Sequence, residues 1–289
     1  MYGNVELRNL DSGSLTLTSD ITAKKGKNGE GGAITFIQQG AVVSGRALNA
    51  DRDINIRTEN GSVLLLGSVK ADSVATKTTD GMIIYGDVRA NNDVLSETEN
   101  GQVVYSGDVR ANGNITATVA ESGDITYFGK TIAGGNVTAA TKKGNIWYNG
   151  NVETGGDVVA QTGTGSILYA GSVRAGNNVE AGIAQRGDIL YIGKVEAGND
   201  VIARTAVGDI FYFGSVEAGH NVVSSTGKGR IGYLGSVMAG KDLPEQIRSG
   251  QGKIAYYDRY GLIGYSDALN VVPVRNATQD ELDIDEEQQ

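Results

Sequence analysis

Gly187-Asp-Ile-Leu-Tyr-Ile-Gly-Lys-Val-Glu-Ala-Gly-Asn-Asp-Val-Ile-Ala-Arg-Thr205 is followed two residues later by Gly208-Asp-Ile-Phe-Tyr-Phe-Gly-Ser-Val-Glu-Ala-Gly-His-Asn-Val-Val-Ser-Ser-Thr226. The two stretches are nearly the same sentence, and it recurs from Gly101 to Asp242. Tyr105, Tyr127, Tyr148, Tyr169, Tyr191, Tyr212 and Tyr233 keep its beat, at spacings of 22, 21, 21, 22, 21 and 21 residues. A fixed period in this range is the mark of a solenoid, in which each repeat buries its apolar face only against its neighbours.

Three strands can be read within each repeat. Glycine stands four residues before each tyrosine (Gly101 to Gly229) and two after it (Gly107 to Gly235), bracketing a first strand between two corners where positive φ is expected. Two residues before each tyrosine is Val103, Ile125, Ile146, Ile167, Ile189, Ile210 or Ile231. Side chains two apart share a strand face, so these residues and the tyrosines point the same way. A second strand is read on Val109, Ile132, Val152, Val173, Val195, Val216 and Val237, and a third starts at Val94, Ile115, Val137, Val158, Val179, Val201 and Val222. The fold class is therefore all-β: a parallel β-helix, right-handed as such folds are, with three strands per coil. Roughly eleven coils stacked at about 4.8 Å make a rod of about 50 Å.

Residues 1–60 read as degenerate N-terminal coils, 61–242 as the regular repeats, 243–276 as a C-terminal cap and 277–289 as a disordered acidic tail. Lys24 to Gly32 buries nothing and reads as a flexible excursion. It lacks the Gly-x-x-x-x-Gly-Lys-Ser/Thr order of a phosphate-binding loop. Gly252-Lys-Ile-Ala-Tyr256 resembles one more first strand, although Asp258 stands where the closing glycine belongs. Both prolines, Pro244 and Pro273, fall beyond the array, as expected of a residue that cannot donate to a strand ladder.

The net charge is −9, but six of the negative charges lie between Asp280 and Glu287, leaving the body near −3. With no basic stripe, nucleic acid is not expected as a partner. There is no cysteine for disulfides or thiolate metal sites. The single histidine, His220, falls at a turn position taken elsewhere by Gly135, Gly156, Asn177 and Asn199, and no serine has a histidine beside it in register. Asp93, Asn114, Asn136, Asp157, Asn178, Asp200, Asn221 and Asp242 form a polar column before the third strand. Asn and Asp suit turns and can bond one another along a rod, so this column reads as structural rather than as a calcium site. No enzyme, cofactor or metal is expected.

One surface stands out. If isoleucine and tyrosine point inward, the favoured direction, then the other side of the first strand carries Trp147, Leu168, Leu190 and Phe211, with Ile192, Phe213 and Leu234 just after the tyrosines. Such a row is a candidate contact face. In the reverse direction these residues would fill the core and the tyrosines would form an exposed stack.

Ala50-Asp-Arg-Asp-Ile-Asn-Ile-Arg-Thr-Glu-Asn-Gly-Ser-Val63 and Val195-Glu-Ala-Gly-Asn-Asp-Val-Ile-Ala203 resemble the shaft repeats of filamentous-haemagglutinin-like adhesins exported by two-partner secretion. The resemblance covers roughly residues 1–242. It implies a structural shaft of a secreted, surface-exposed bacterial adhesin, carrying or spacing regions that bind a host-surface protein or glycan. It also implies an outer-membrane transporter as export partner. Met1 to Val5 lacks the basic start and apolar centre of a signal peptide, so an exported parent protein is expected to be longer than this chain. The competing resemblance is to bactofilins, cytoskeletal β-helices, which would make the chain a cytoplasmic self-assembling filament. A third option is a glycan- or protein-binding module, or a homo-oligomer, that uses the apolar outer face.

Overall fold

The computed structural model describes residues 3–9 and 11–240, together with two later strands at 253–258 and 261–267. The described residues form a parallel β-solenoid with no helix. Three sheets run its length, one of 13 strands and two of 11. The first coil comprises β1 (Val5–Asn9), β2 (Leu15–Leu17) and β3 (Ile21–Ala23), and each strand pairs with its counterpart one coil on. β1 founds a long-strand sheet, β2 the sheet that carries the tyrosines, and β3 a sheet of Val-x-Ala strands.

The core is a set of columns running along the rod. Tyr85, Tyr105, Tyr127, Tyr148, Tyr169, Tyr191, Tyr212 and Tyr233 are all buried, as are the isoleucines and valines two residues earlier. The tyrosine ladder therefore faces inward. Successive rings stack with centroids 4.6–5.2 Å apart and planes within 12°. Burying an aromatic ring on both faces in this way contributes apolar burial and ring–ring contact together.

The second strand differs from the reading at one coil. In β18 (Thr131–Ala133), Thr131 pairs with Val109 and is buried, whereas Ile132 pairs with Arg110 on the outer side and is half-buried. Register outranks hydrophobicity here, because moving Ile132 inward would slip that rung by one residue and turn Ala133 out of the core.

The alternation of 21 and 22 residues has a local cause. The 22-residue coils contain β16 (Ile115–Ser122) and β25 (Val179–Arg186), each eight residues long, and the extra residue is absorbed as a register shift near the strand end. In most other coils a buried threonine at this point donates to a glycine carbonyl. Thr98 Oγ1 reaches Gly81 at 3.0 Å, Thr141 reaches Gly123 at 2.9 Å and Thr162 reaches Gly144 at 2.9 Å. Val119 and Ile183 replace the threonine in the bulged coils.

The two glycine columns serve different purposes. From Gly81 to Gly208, those four residues before tyrosine hold positive φ, for example 141° at Gly101 and 136° at Gly165, which glycine tolerates best. Those two residues after tyrosine have no such φ. A side chain on Gly129 would instead run into the backbone of Gly107 one coil below. Close stacking, not the expected positive φ, explains the second column.

Lys24 to Gly32 is more ordered than a flexible excursion. Lys25 bridges Gly31 in antiparallel fashion, Gly26 N–H donates to Glu30 O at 2.8 Å, and Gly32 N–H donates to Gly3 O at 3.1 Å. At the other end, β34 (Lys253–Asp258) pairs parallel with β31 (Val222–Thr226), and β35 (Gly261–Asp267) folds antiparallel onto β34. Ile254 and Tyr256 thus continue the long-strand sheet, opposite Val222 and Ser224, and not the tyrosine sheet. An alternating Ile-x-Tyr fits any inward column; without the closing glycine, nothing ties it to the tyrosine sheet. The acidic tail at 277–289 lies outside the described residues.

Candidate contact face

The corners decide what the rod can present, and Asx columns hold them. Asn114 N–H donates to Asp93 Oδ1 at 2.7 Å, Asn136 N–H to Asn114 Oδ1 at 2.8 Å, and the series continues through Asp157, Asn178, Asp200 and Asn221. A second column, missed in the sequence, runs through Asp124, Asn145, Ser166, Asp188, Asp209 and Arg230. A side-chain oxygen in one coil accepts an amide of the next, satisfying backbone donors at the turns. Among the described residues, no group of three or more His, Cys, Asp or Glu could hold a metal ion. His220 is exposed at its corner, where its N–H donates to Asn199 O at 2.8 Å.

The structure gathers the seven candidate residues on the outer side of the tyrosine sheet. Trp147, Leu168, Leu190 and Phe211 are rung partners in register. Ile192, Phe213 and Leu234 sit at the corner that follows, each donating its N–H to a tyrosine carbonyl one coil back. Trp147 is 38% exposed, Ile192 49%, Phe213 46% and Leu234 57%, while Leu168, Leu190 and Phe211 are half-buried by their neighbours.

The face is longer than the sequence suggested. Val43, Leu64, Ile84 and Val104 continue the Trp147 column toward the N-terminus on unbroken rungs. Leu66, Met82 and Phe128 stand exposed beside it. Val43, Leu64 and Leu66 escape the sequence pattern because Ser44 and Leu65 replace the tyrosine in the early coils, so the landmark that orients the strand is missing there.

Polar groups border the face. Asp124, Asp188 and Asp209 occupy the side where the strands begin, and Lys130 and Lys194 the side where they end. Hydrogen bonds from Arg230 hold the Asp209 carboxyl below its ordinary range. The Arg230 guanidinium also lies 5.5 Å from the centroid of the Phe211 ring, a cation–π contact. Phe211 leans over Gly232, where any larger residue would collide with its ring. Lys194 is raised by its hydrogen bonds to Glu196 and Glu217, with Nζ 2.7 Å from a carboxylate oxygen of each.

The arrangement offers flat apolar contact with a polar border. The chain matches no protein-family model, no curated protein and no solved structure.

Proposed function

We propose that the chain is a structural shaft from a secreted, surface-exposed bacterial adhesin of the haemagglutinin-like kind. It would be non-catalytic and would space or present regions that bind a host-surface protein or glycan. The observation that carries this reading is the continuity of the rod: three sheets run through eleven successive coils. Corner-to-corner hydrogen bonds, a stacked aromatic core and glycines packed backbone to backbone all serve length and stiffness. Loops that leave the coils, where sites are usually built, are confined to Lys24–Gly32 among the described residues.

Export through a dedicated outer-membrane transporter follows from this reading. The test is to express the natural full-length protein in its own host and probe intact cells with antibody and added protease. Surface labelling that vanishes when the transporter is deleted is the expected result. Signal found only after lysis, together with cytoplasmic filaments, would replace this reading with the cytoskeletal one.

A further inference from the structure

We infer that the apolar face of the tyrosine sheet is the interface for a second copy of this chain, the two rods lying side by side, parallel and in register. Size argues for a macromolecular occupant. From Val43 to Leu234 the face runs ten coils. Rung spacing and strand rise give it roughly 700 Å² of flat surface, close to the ~800 Å² that each partner contributes to a stable interface. A monomer seldom leaves so large an apolar patch open.

Shape and charge favour a second copy, and one orientation of it. Two identical faces can meet about a two-fold axis lying along the rods or across them. An axis along the rods opposes the Trp147 column of one copy to the Phe213 column of the other, coil by coil. Thr126 then meets Phe128, Trp147 meets Asn149, Leu168 meets Ala170, and Gly232 meets Leu234, so large residues lie against small ones in four of these coils. An axis across the rods at the middle of the face would press each column onto itself in reverse order, setting Leu168 against Val104, Leu190 against Ile84 and Phe211 against Leu64. It would also set Asp124 opposite Asn145, with no basic partner. The parallel arrangement brings Asp124 against the partner's Lys130 instead. Lys194 is already held by Glu196 and Glu217, so the Asp124–Lys130 contact carries the electrostatic preference.

Sedimentation velocity on the full chain over a wide concentration range tests this, and the pairing does not depend on the adhesin reading. A reversible dimer is expected. Leu190→Lys and Phe213→Glu should each raise its dissociation constant by about tenfold or more, with unchanged circular dichroism because both side chains point outward. The chain contains no cysteine, so Leu66→Cys and Leu234→Cys each give one unique spin-label site. Parallel rods place like labels close together at both ends, whereas antiparallel rods hold each pair about 40 Å apart. A monomer at every concentration, a dimer indifferent to both charge substitutions, or long distances at both labels would overturn the proposal.

Discussion

Each core tyrosine hydroxyl meets whatever stands opposite it in the long-strand sheet. Tyr85 bonds Thr76, Tyr105 lies 2.8 Å from Ser96 Oγ, and Tyr233 lies 2.7 Å from Ser224 Oγ. That opposing column then runs Ala117, Ala139, Ala160 and Ala181, and the hydroxyls of Tyr127, Tyr148, Tyr169 and Tyr191 have no hydrogen-bond partner. A buried unpaired hydroxyl costs free energy that a paired one does not. Tyr169→Phe should therefore leave stability unchanged or raise it slightly. Tyr105→Phe removes a buried hydrogen bond to Ser96 and should cost about 1 kcal/mol; urea unfolding of the two variants measures the contrast. Burial also pushes up the phenols from Tyr85 to Tyr212, Tyr85 to about 12 and the other six above the ordinary value. A folded-state pKa above the unfolded one means that the native state holds its proton longer. Their contribution is thus fully present below pH ~10 and is lost as pH rises from there through the folded values. Alkaline titration should show tyrosinate absorbance from the core appearing together with loss of strand dichroism. Core ionisation with the fold intact would contradict this.

Strands and corners are where the sequence spoke most clearly and also where it misled. The tyrosine period, the glycine brackets and the alternating apolar residues were enough for three strands per coil, because each is a column that must repeat for coils to stack. Column-wide rules hid single exceptions. Thr131 is inward although Ile132 is the more apolar, and the Ile254–Tyr256 stretch extends the long-strand sheet although it mimics the first strand. The spacing in Thr98-Glu-Asn-Gly101 and Thr141-Lys-Lys-Gly144, and its lengthening in Val119-Ala-Glu-Ser-Gly123, was legible, but the bonds run one coil back, from Thr98 to Gly81 and from Thr141 to Gly123. Recognising them requires knowing that the threonine faces in. The corner glycines yield a direct test. Gly165→Ala places a methyl on the Gly144 carbonyl at φ 136° and should cost at least about 3 kcal/mol. Gly182→Ala, whose added methyl meets only the Gln161 side chain at 3.9 Å, should be neutral or gain a few tenths of a kcal/mol. Thermal unfolding of the pair is the measurement, and equal losses would refute the stacking account.

For the whole molecule, neighbour-only contacts make stability nearly one-dimensional. Amide exchange should be slowest in the central coils and faster toward Val5 and Ala239, as local opening starts where a coil has fewer neighbours. Uniform protection along the rod would speak against it. The contact face was half legible at this scale: Trp147 and Phe211 announced it, but its reach back to Val43 emerged only once the early coils had a direction. The tyrosine column has an optical consequence as well. Eight phenol rings held nearly parallel at van der Waals spacing couple their transition dipoles into one chiral array. Near-ultraviolet dichroism of this rod should exceed the sum of its separate chromophores. One leucine replacing Tyr148 would split the array in two, so a single break would dim a signal shared by all eight.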